Sequence, residues 1–391
     1  MSRAISLFST LMLLIVLAGC AATAPKEPVT FYPPLPLQPR LQYLTTISTE
    51  DDLGKKAGAF REFVVGPEQS RIQLHRPLDV GSVKGKLYVS DRTVRRIMIV
   101  DFVKGEMDYI KDKDLGALQD PFGLHVTDDG FKYVADGGRK QVVVFGPDEA
   151  YVRAYGEAGQ FEKPHDVALF GDRLYVADYP RHEVLVIDKQ SGKTVQTIGG
   201  RGTEAGKFDR PANLRVDRQG NLFVNDSFNF RIQKFDPQGK YLKEFGYSGS
   251  TLGGFARPKG LDVSPEGKFL YVADAAFENI QIFDDESTDV VLFFGGFGNA
   301  PGSLYLPSAV HVDDKNTEYF QRYADKDFKV RYLVIVSNVL GDKKLNIYGF
   351  GDWTGEKLPE MAPKPPSKPE KSEGSAKPEE AEAPAQPDAA K

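Results

Sequence analysis

"KPHDVALFGDRLYVAD", residues 163–178, is one copy of a pattern that recurs through most of the chain. Each copy starts at a proline, continues as an apolar strand-like run, turns at Gly or Asp and returns as a second apolar run. The period is 43 to 49 residues, and the prolines are Pro77, Pro121, Pro164, Pro211, Pro258 and Pro307. A period of this size is typical of repeat architectures, and period-2 alternation predicts strands.

Two further alternating runs follow in each unit, such as "RIQKFD" and "YLKEFG" in the fourth. Six units of four antiparallel strands predict an all-β, six-bladed propeller over residues 40–358. The last unit supplies only "SAVHV", "YLVIVSN" and "LNIYGF". We therefore expect "LQYLTTI", residues 41–47, to add its outer strand and close the ring.

Two positions of the repeat predict packing roles. A large apolar residue lies three positions before each proline, where we expect it to fill the space between blades: Leu74, Leu118, Phe161, Phe208, Phe255 and Leu304. An aspartate ends the second strand of five units, at Asp91, Asp136, Asp178, Asp226 and Asp274. Five copies favour a structural role, in which each carboxylate accepts backbone N–H groups of its turn, over five catalytic acids.

The repeat resembles NHL repeats. "NLFVNDSFNFRIQKFDPQGKYLKEFG" and "GKFDRPANLRVDRQG" carry the resemblance, which covers residues 40–351. It implies a six-bladed propeller but leaves the function open, because such propellers serve as binding scaffolds and, less often, as enzymes.

The two ends of the chain differ from the repeat. Residues 1–19 place an apolar run after Arg3 and end in Leu-Ala-Gly before Cys20, the only cysteine, which resembles a bacterial lipoprotein signal. We expect export and lipidation at Cys20, with the outer membrane favoured because Ala21 follows. Residues 20–39 are proline-rich and predict an extended tether, whereas 359–391 predict a disordered tail.

Polar residues begin three of the innermost strands, at the predicted mouth of the central channel. Asp79, Asp166 and Asn213 offer oxygen ligands that suit calcium, as in lactonase-type propellers. His165 lies in "KPHDVAL", which resembles a segment of a zinc-dependent peptidyl-hydroxyglycine amidating lyase. A zinc site needs three protein ligands, but only one blade has histidine at this level. The alternative to a metal site is that these polar side chains form hydrogen bonds within the fold where their strands begin.

The formal net charge is −5, yet basic residues collect in the loops of one face, which we call the top face. They are Arg76, Arg92, Arg95, Arg139, Lys140, Lys163, Arg181, Arg210, Arg231 and Arg257. The turns of the opposite, bottom face are rich in Asp and Glu. This pattern predicts an anionic ligand, an envelope protein or an acidic polymer, rather than nucleic acid, since an exported protein meets little RNA. The alternative is that the arginine side chains stabilise the turns through hydrogen bonds within the fold.

An insertion, residues 313–331, lengthens one turn of the last unit and contains Tyr319, Phe320, Tyr323 and Phe328. It predicts either a docked partner-binding loop on the bottom face or aromatic packing on its own blade. The sequence thus favours a lipid-anchored binding or assembly scaffold. A metal-dependent lyase or a lactonase-type enzyme is the alternative. No cofactor is expected unless calcium binds at the channel mouth.

Overall fold

The computed structural model describes residues 29–54 and 72–359. Five four-stranded antiparallel sheets and one five-stranded sheet form the six blades. The first strands of consecutive blades contact one another around the ring, including those of blades 6 and 1, so they line the central channel. The predicted signal, residues 1–19, and Cys20 lie outside the described residues.

Blades 1 to 5 follow the predicted order of four strands, from the channel outward. Blade 1 comprises Pro77–Val83, Lys86–Asp91, Arg96–Asp101 and Glu106–Tyr109. Blades 2 and 3 comprise Pro121–Val126, Lys132–Asp136, Gln141–Phe145 and Tyr151–Tyr155, then Pro164–Phe170, Arg173–Asp178, Glu183–Asp188 and Thr194–Gly199. Blades 4 and 5 comprise Pro211–Val216, Leu222–Asp226, Arg231–Phe235 and Tyr241–Phe245, then Pro258–Val263, Phe269–Asp274, Asn279–Asp284 and Val290–Gly295.

Blade 6 is closed by the N-terminal part of the chain, as the sequence predicts. Its strands from the channel outward are Pro307–Asp313, Phe328–Asn338, Leu345–Trp353, Leu41–Ile47 and Phe31–Tyr32. Leu41–Ile47 pairs antiparallel with Leu345–Trp353. Because the outer strand precedes the first blade and its partner follows the fifth, the two ends of the propeller are joined by a full ladder of hydrogen bonds.

The fifth strand of blade 6 corrects the tether prediction. Phe31–Tyr32 pairs with Leu41–Ile47, and the Phe31 ring packs 5.8 Å from that of Phe328 and 5.7 Å from that of Trp353. Phe31 is only 6% exposed. Burying these rings offsets the entropy of ordering a proline-rich segment, so the later part of residues 20–39 belongs to the blade.

The apolar residues before each proline fill the predicted places between blades. Phe208, for example, packs in a cluster with residues of blades 3 and 4, and Phe255 in one with residues of blades 4 and 5. Leu118 is half-buried and the other five are buried. The hydrophobic core is therefore a ring of inter-blade layers.

The recurrent aspartates are structural, as predicted. Asp274 accepts the backbone N–H groups of Ala256 and Arg257, which enter the inner strand, and that of Ala276 in the turn after the second strand. Asp91, Asp136, Asp178 and Asp226 accept the equivalent N–H groups of their entry loops. These hydrogen bonds show that both kinds of loop share the top face.

Helical structure is confined to short segments among the described residues. There is a single α-helical turn, Thr317–Phe320, and 3-10 turns at Glu50–Leu53, Asp114–Gly116, Tyr179–Arg181 and Gln321–Tyr323. A small parallel ladder joins Tyr247–Ser248 to Gly254–Phe255. No helix in the described part of the chain has the length and apolar character to cross a membrane.

The insertion of blade 6 packs into the core, which corrects part of its prediction. Phe320 is 0% and Phe328 1% exposed, so neither ring is available to a partner. Phe320 and Tyr319 lie against Phe102 of blade 1, with ring centroids 5.4 and 4.6 Å away. The insertion therefore joins blade 6 to blade 1, and of its four predicted aromatic residues Tyr319 and Tyr323 keep partial exposure.

Candidate functional site

The upper mouth of the channel contains a stack of three rings. His165 lies between Phe122 and Tyr179, with ring centroids 4.6 and 5.3 Å away. Its Nδ1 is 2.8 Å from the carbonyl oxygen of Ala212, so Nδ1 carries the hydrogen and donates it. Burial lowers the pKa of His165 to about 4, against the opposing effect of that hydrogen bond and with the help of nearby cations such as Lys259. His165 is therefore neutral at neutral pH.

Cationic side chains cover the faces of these rings. Arg92 and Lys163 lie 5.5 and 5.2 Å from the centroid of the Phe122 ring. Arg210 lies over Tyr179 at 5.7 Å and over Phe228 at 4.7 Å. Cation–π contacts hold these charged groups in place without neutralising them. We call the stack and its surrounding cations the upper site.

Positive charge is only partly compensated at the upper site, where Lys163 pairs with Asp120 at 3.8 Å. Burial lowers the pKa of Lys259, and the nearby charges of Arg257 and Arg92 lower it further. Arg92, Arg210 and Arg257 are exposed and form no ion pair with a described residue, and the same holds for Arg76. An anionic group can therefore gain charge–charge contacts here without displacing an existing partner.

Three of the predicted top-face arginines support turns instead, and one of them is Arg231, whose guanidinium donates to the carbonyl oxygens of Glu204 and Lys207. The Arg139 guanidinium donates to the carbonyl oxygens of Leu115 and Ala117, both at 2.8 Å. That of Arg181 donates to those of Gly159 and Gln160, at 2.7 and 2.9 Å. The hydrogen-bonding capacity of these side chains is used within the fold, which corrects their assignment to ligand binding.

Asp79 and Asp166 meet below the upper site, but around an arginine. The Arg215 guanidinium lies 2.8 Å from Asp79 Oδ1 and 3.0 Å from Asp166 Oδ2. Further hydrogen bonds to these carboxylates join neighbouring inner strands, because Asp79 accepts the backbone N–H of Leu124 and Asp166 accepts that of Leu214. Burial raises the pKa of Asp166 to about 7, with the Asp79 charge adding to the shift and that of Arg215 opposing it.

These contacts correct the calcium prediction. Arg215 supplies the positive charge that the two carboxylates require, so their oxygens are already satisfied. Asn213 is 9% exposed and lies on the same strand as Arg215. Within residues 29–54 and 72–359, no group of three or more His, Cys, Asp or Glu side chains could hold a metal ion.

A second polar cluster, which we call the lower site, lies toward the bottom face. Ser82 Oγ is 2.9 Å from Nε2 of His311, and Nδ1 of His311 is 3.2 Å from Oδ2 of Asp262. The three residues come from blades 1, 6 and 5, so no local sequence motif links them. A signal was present nonetheless: the fourth position after the proline is polar in four units, at His125, Arg215, Asp262 and His311.

A cavity of about 450 Å³ opens at the lower site. His125, Arg215, Asp262 and His311 are among the residues that line it, together with bottom-face turn residues. Acidic side chains of this face are paired, because Asp128 and Asp314 form ion pairs with Lys315 and Arg218. Glu149 pairs with the buried Lys132 in the same way. Part of the acidic charge predicted for the bottom face is therefore neutralised.

Comparisons with known proteins agree with the architecture. The DUF5128 family model, described as a 6-bladed beta-propeller, matches residues 156–247. NHL repeat-containing protein 2 of Bos taurus is 26% identical over 38% of this chain and 24% of its own length, and NHL repeat-containing protein 3 of Mus musculus is 26% identical over 40% of this chain and half of its own. The chain is a six-bladed β-propeller whose repeats are similar to NHL repeats.

The propeller is also similar to an enzyme and to a protein of unknown function. Rat peptidylglycine alpha-amidating monooxygenase is 30% identical over 42% of this chain, but the match spans only 18% of the rat protein. A crystal structure of a Bacteroides thetaiotaomicron protein of unknown function covers 79% of this chain with a TM-score of 0.54 at 14% identity, and 75% of that chain is covered. That structural likeness shows the fold alone, and the relatives include both repeat proteins and an enzyme.

Proposed function

We propose that this propeller is a binding module that recognises an anionic envelope ligand at the upper site. The observation that carries the proposal is the group of exposed, uncompensated cations around the Phe122–His165–Tyr179 stack. Carboxylate or phosphate groups would contact the cations, while the rings offer a flat apolar surface beside them. An acidic polymer, or an acidic segment of an envelope protein, has this chemistry.

The proposal includes the cellular setting predicted from the N-terminal sequence. Lipidation at Cys20 would anchor the propeller to a membrane, with the outer membrane favoured, where extended anionic polymers and acidic proteins are accessible. The supporting observations are the lipoprotein-like signal and the position of Cys20 directly after it.

Charge reversal tests the upper site. Arg210→Glu with Arg257→Glu should weaken binding to polyglutamate or dextran sulfate at low salt by about tenfold or more, equivalent to about 1.4 kcal/mol. The matched control is Lys193→Glu with Lys240→Glu, which changes the net charge equally in exposed turns of the bottom face. Equal loss in both double variants, or wild-type binding that does not change with salt, would contradict a local electrostatic site.

A lyase-type enzyme is the second candidate. It is favoured by the similarity to the rat amidating protein and by the neutral His165, whose Nε2 has no hydrogen-bond partner among the described residues. A neutral imidazole with a free ring nitrogen can accept a proton or bind a metal. Metal analysis of purified protein separates the candidates: stoichiometric zinc lost in His165→Ala would favour the enzyme, whereas anion binding that survives chelation would favour the binding module.

A further inference from the structure

The lower site has the hydrogen-bond order of a nucleophile, a base and an orienting acid. An ionised carboxylate only accepts hydrogen bonds, so Nδ1 of His311 donates to Asp262. Nε2 of His311 then carries the lone pair and accepts the hydroxyl hydrogen of Ser82 at 2.9 Å. In this tautomer, Ser82 can lose its proton directly to His311.

Asp262 is fixed in its orienting position. Its Oδ1 accepts the N–H of Val263 and its Oδ2 that of Val312, both at 2.8 Å. Burial acts to raise the pKa of Asp262, but the hydrogen bond and charge of His311 and the charge of Arg215 together hold it below its ordinary value. Asp262 is thus an ionised group that stabilises the His311 imidazolium when a proton arrives.

The groups facing this cluster do not compete for the proton of Ser82. Burial and the charge of Arg215 lower the pKa of His125 to about 3, so it is neutral. Arg215 is engaged by Asp79 and Asp166. Lys315 Nζ lies 3.4 Å from the main-chain carbonyl oxygen of Ser82, so a positive charge lies near the nucleophile.

The cavity gives the cluster a place for a substrate. Ser82 is 3% exposed and is not itself one of the residues that line the cavity of about 450 Å³, but two of its neighbours do: Gly81, which precedes it in the chain, and His311, whose Nε2 contacts its hydroxyl. This volume suits a small molecule. Valines of the inner strands, such as Val126 and Val216, supply the apolar part of the wall, while Lys315 and Arg218 supply charge.

We propose that Ser82, His311 and Asp262 form a hydrolytic site for small carboxylic esters at the lower end of the channel. Ser82 Oγ bonds to the ester carbonyl carbon as its proton passes to Nε2 of His311. The tetrahedral adduct collapses, the ester C–O bond breaks, and the alcohol leaves with that proton. Water then attacks the acyl-serine by the same route, which releases the carboxylic acid and restores Ser82.

Lys315 has a supporting role in this proposal. Its ammonium donates to the main-chain carbonyl oxygen of Ser82 and so lies near the nucleophile, where it can stabilise the oxyanion that develops on the carbonyl oxygen of the ester. The ion pair with Asp128, at 2.5 Å, holds the lysine at the rim of the cavity. The lower site is formed by other residues than the upper site, so the proposal goes beyond anion binding and does not depend on it.

The direct test is covalent labelling of the full chain with a fluorophosphonate probe. Ser82 should displace fluoride and be recovered by mass spectrometry as the modified residue. Ser82→Ala, a small change, should abolish labelling. The matched control is Ser264→Ala: Ser264 is also 3% exposed and lines the same cavity, but its hydroxyl accepts turn N–H groups and has no histidine partner.

The base and the orienting acid are tested by rates in variants whose folding is verified by circular dichroism. His311→Asn should slow labelling and p-nitrophenyl acetate hydrolysis by about a hundredfold or more. Asp262→Asn should slow both, and Asp262→Glu should restore part of the loss. The proposal is overturned if folded wild-type protein is not labelled, if the label is on another residue, or if His311→Asn reacts at the wild-type rate.

Discussion

The Arg215 network makes the most quantitative prediction. Arg215 is 8% exposed, and its guanidinium bonds to Asp79 at 2.8 Å and to Asp166 at 3.0 Å. Arg215→Met keeps most of the apolar stem but leaves two buried carboxylates without their counter-charge. Removing one partner from a buried ion pair costs about 3–5 kcal/mol, and the facing carboxylates favour the upper end. The free energy of unfolding from urea or guanidinium titration measures this loss.

Arg218→Met is the control, three residues along the chain. Arg218 also forms an ion pair, at 2.6 Å from Asp314, but its side chain is 66% exposed. A surface pair contributes about 0–1 kcal/mol, so the control should lose no more than that. Similar losses in the two variants would refute the claim that burial of the network determines its contribution.

The pH dependence gives a second check on the same variant. Burial and the Asp79 charge already raise the pKa of Asp166 to about 7, and Arg215 opposes that rise. Without Arg215 the pKa of Asp166 rises further. A group whose pKa is higher in the folded than in the unfolded protein stabilises the fold at low pH. That contribution is lost as the pH rises through the folded-state pKa. The penalty of Arg215→Met should therefore be largest at pH 8 and smaller at pH 5; equal penalties would contradict this reasoning.

Three further predictions concern other parts of the chain. Cys20→Ser should move the protein from the membrane to the soluble fraction on centrifugation, and unchanged membrane association would exclude lipidation as the anchor. Phe320→Ala should cost about 3–5 kcal/mol of unfolding free energy, whereas Phe297→Ala, at a ring that is 74% exposed, should cost less than about 0.5 kcal/mol. Since burial lowers the pKa of His165 to about 4, its contribution to stability is present above its unfolded value of about 6.5 and lost toward pH 4. His165→Gln should therefore have a thermal midpoint less sensitive to pH across that window than wild type, and equal sensitivity would count against a buried neutral histidine.

The repeat determines what could be foreseen of the fold. The strand alternation and the apolar residue before each proline recur in every blade, and the aspartate that ends the second strand recurs in five of the six, so one local rule predicts them all. Closure of the ring by Leu41–Ile47 could be predicted because the last repeat unit supplies only three strands to blade 6. The burial of Phe31 could not be predicted, because the prolines around it indicate an extended chain. In the structure, the edge of blade 6 provides a buried position for its ring.

The sites were less predictable because their partners lie on different blades. Asp79 and Asp166 were expected to face the channel, but the sequence could not show that Arg215 reaches both from the fourth blade. Ser82 and His311 become neighbours only when the ring closes. Phe320 has the composition of an interface anchor, and only the adjacent surface of blade 1 shows that it is core. Charge in a loop predicts exposure but does not distinguish Arg139, which supports a turn, from Arg257, which does not.

Photo-crosslinking in cells that produce the full chain tests the central claim most directly. Phe228 of the upper site and Phe170 at the bottom-face end of its strand are both exposed, at 49% and 38%, so benzoylphenylalanine can replace either with little change in packing. We expect a covalent adduct from position 228 that disappears in Arg210→Glu with Arg257→Glu, and none from position 170. Adducts from position 170 alone, or adducts from 228 that persist after charge reversal, would contradict recognition through the upper site.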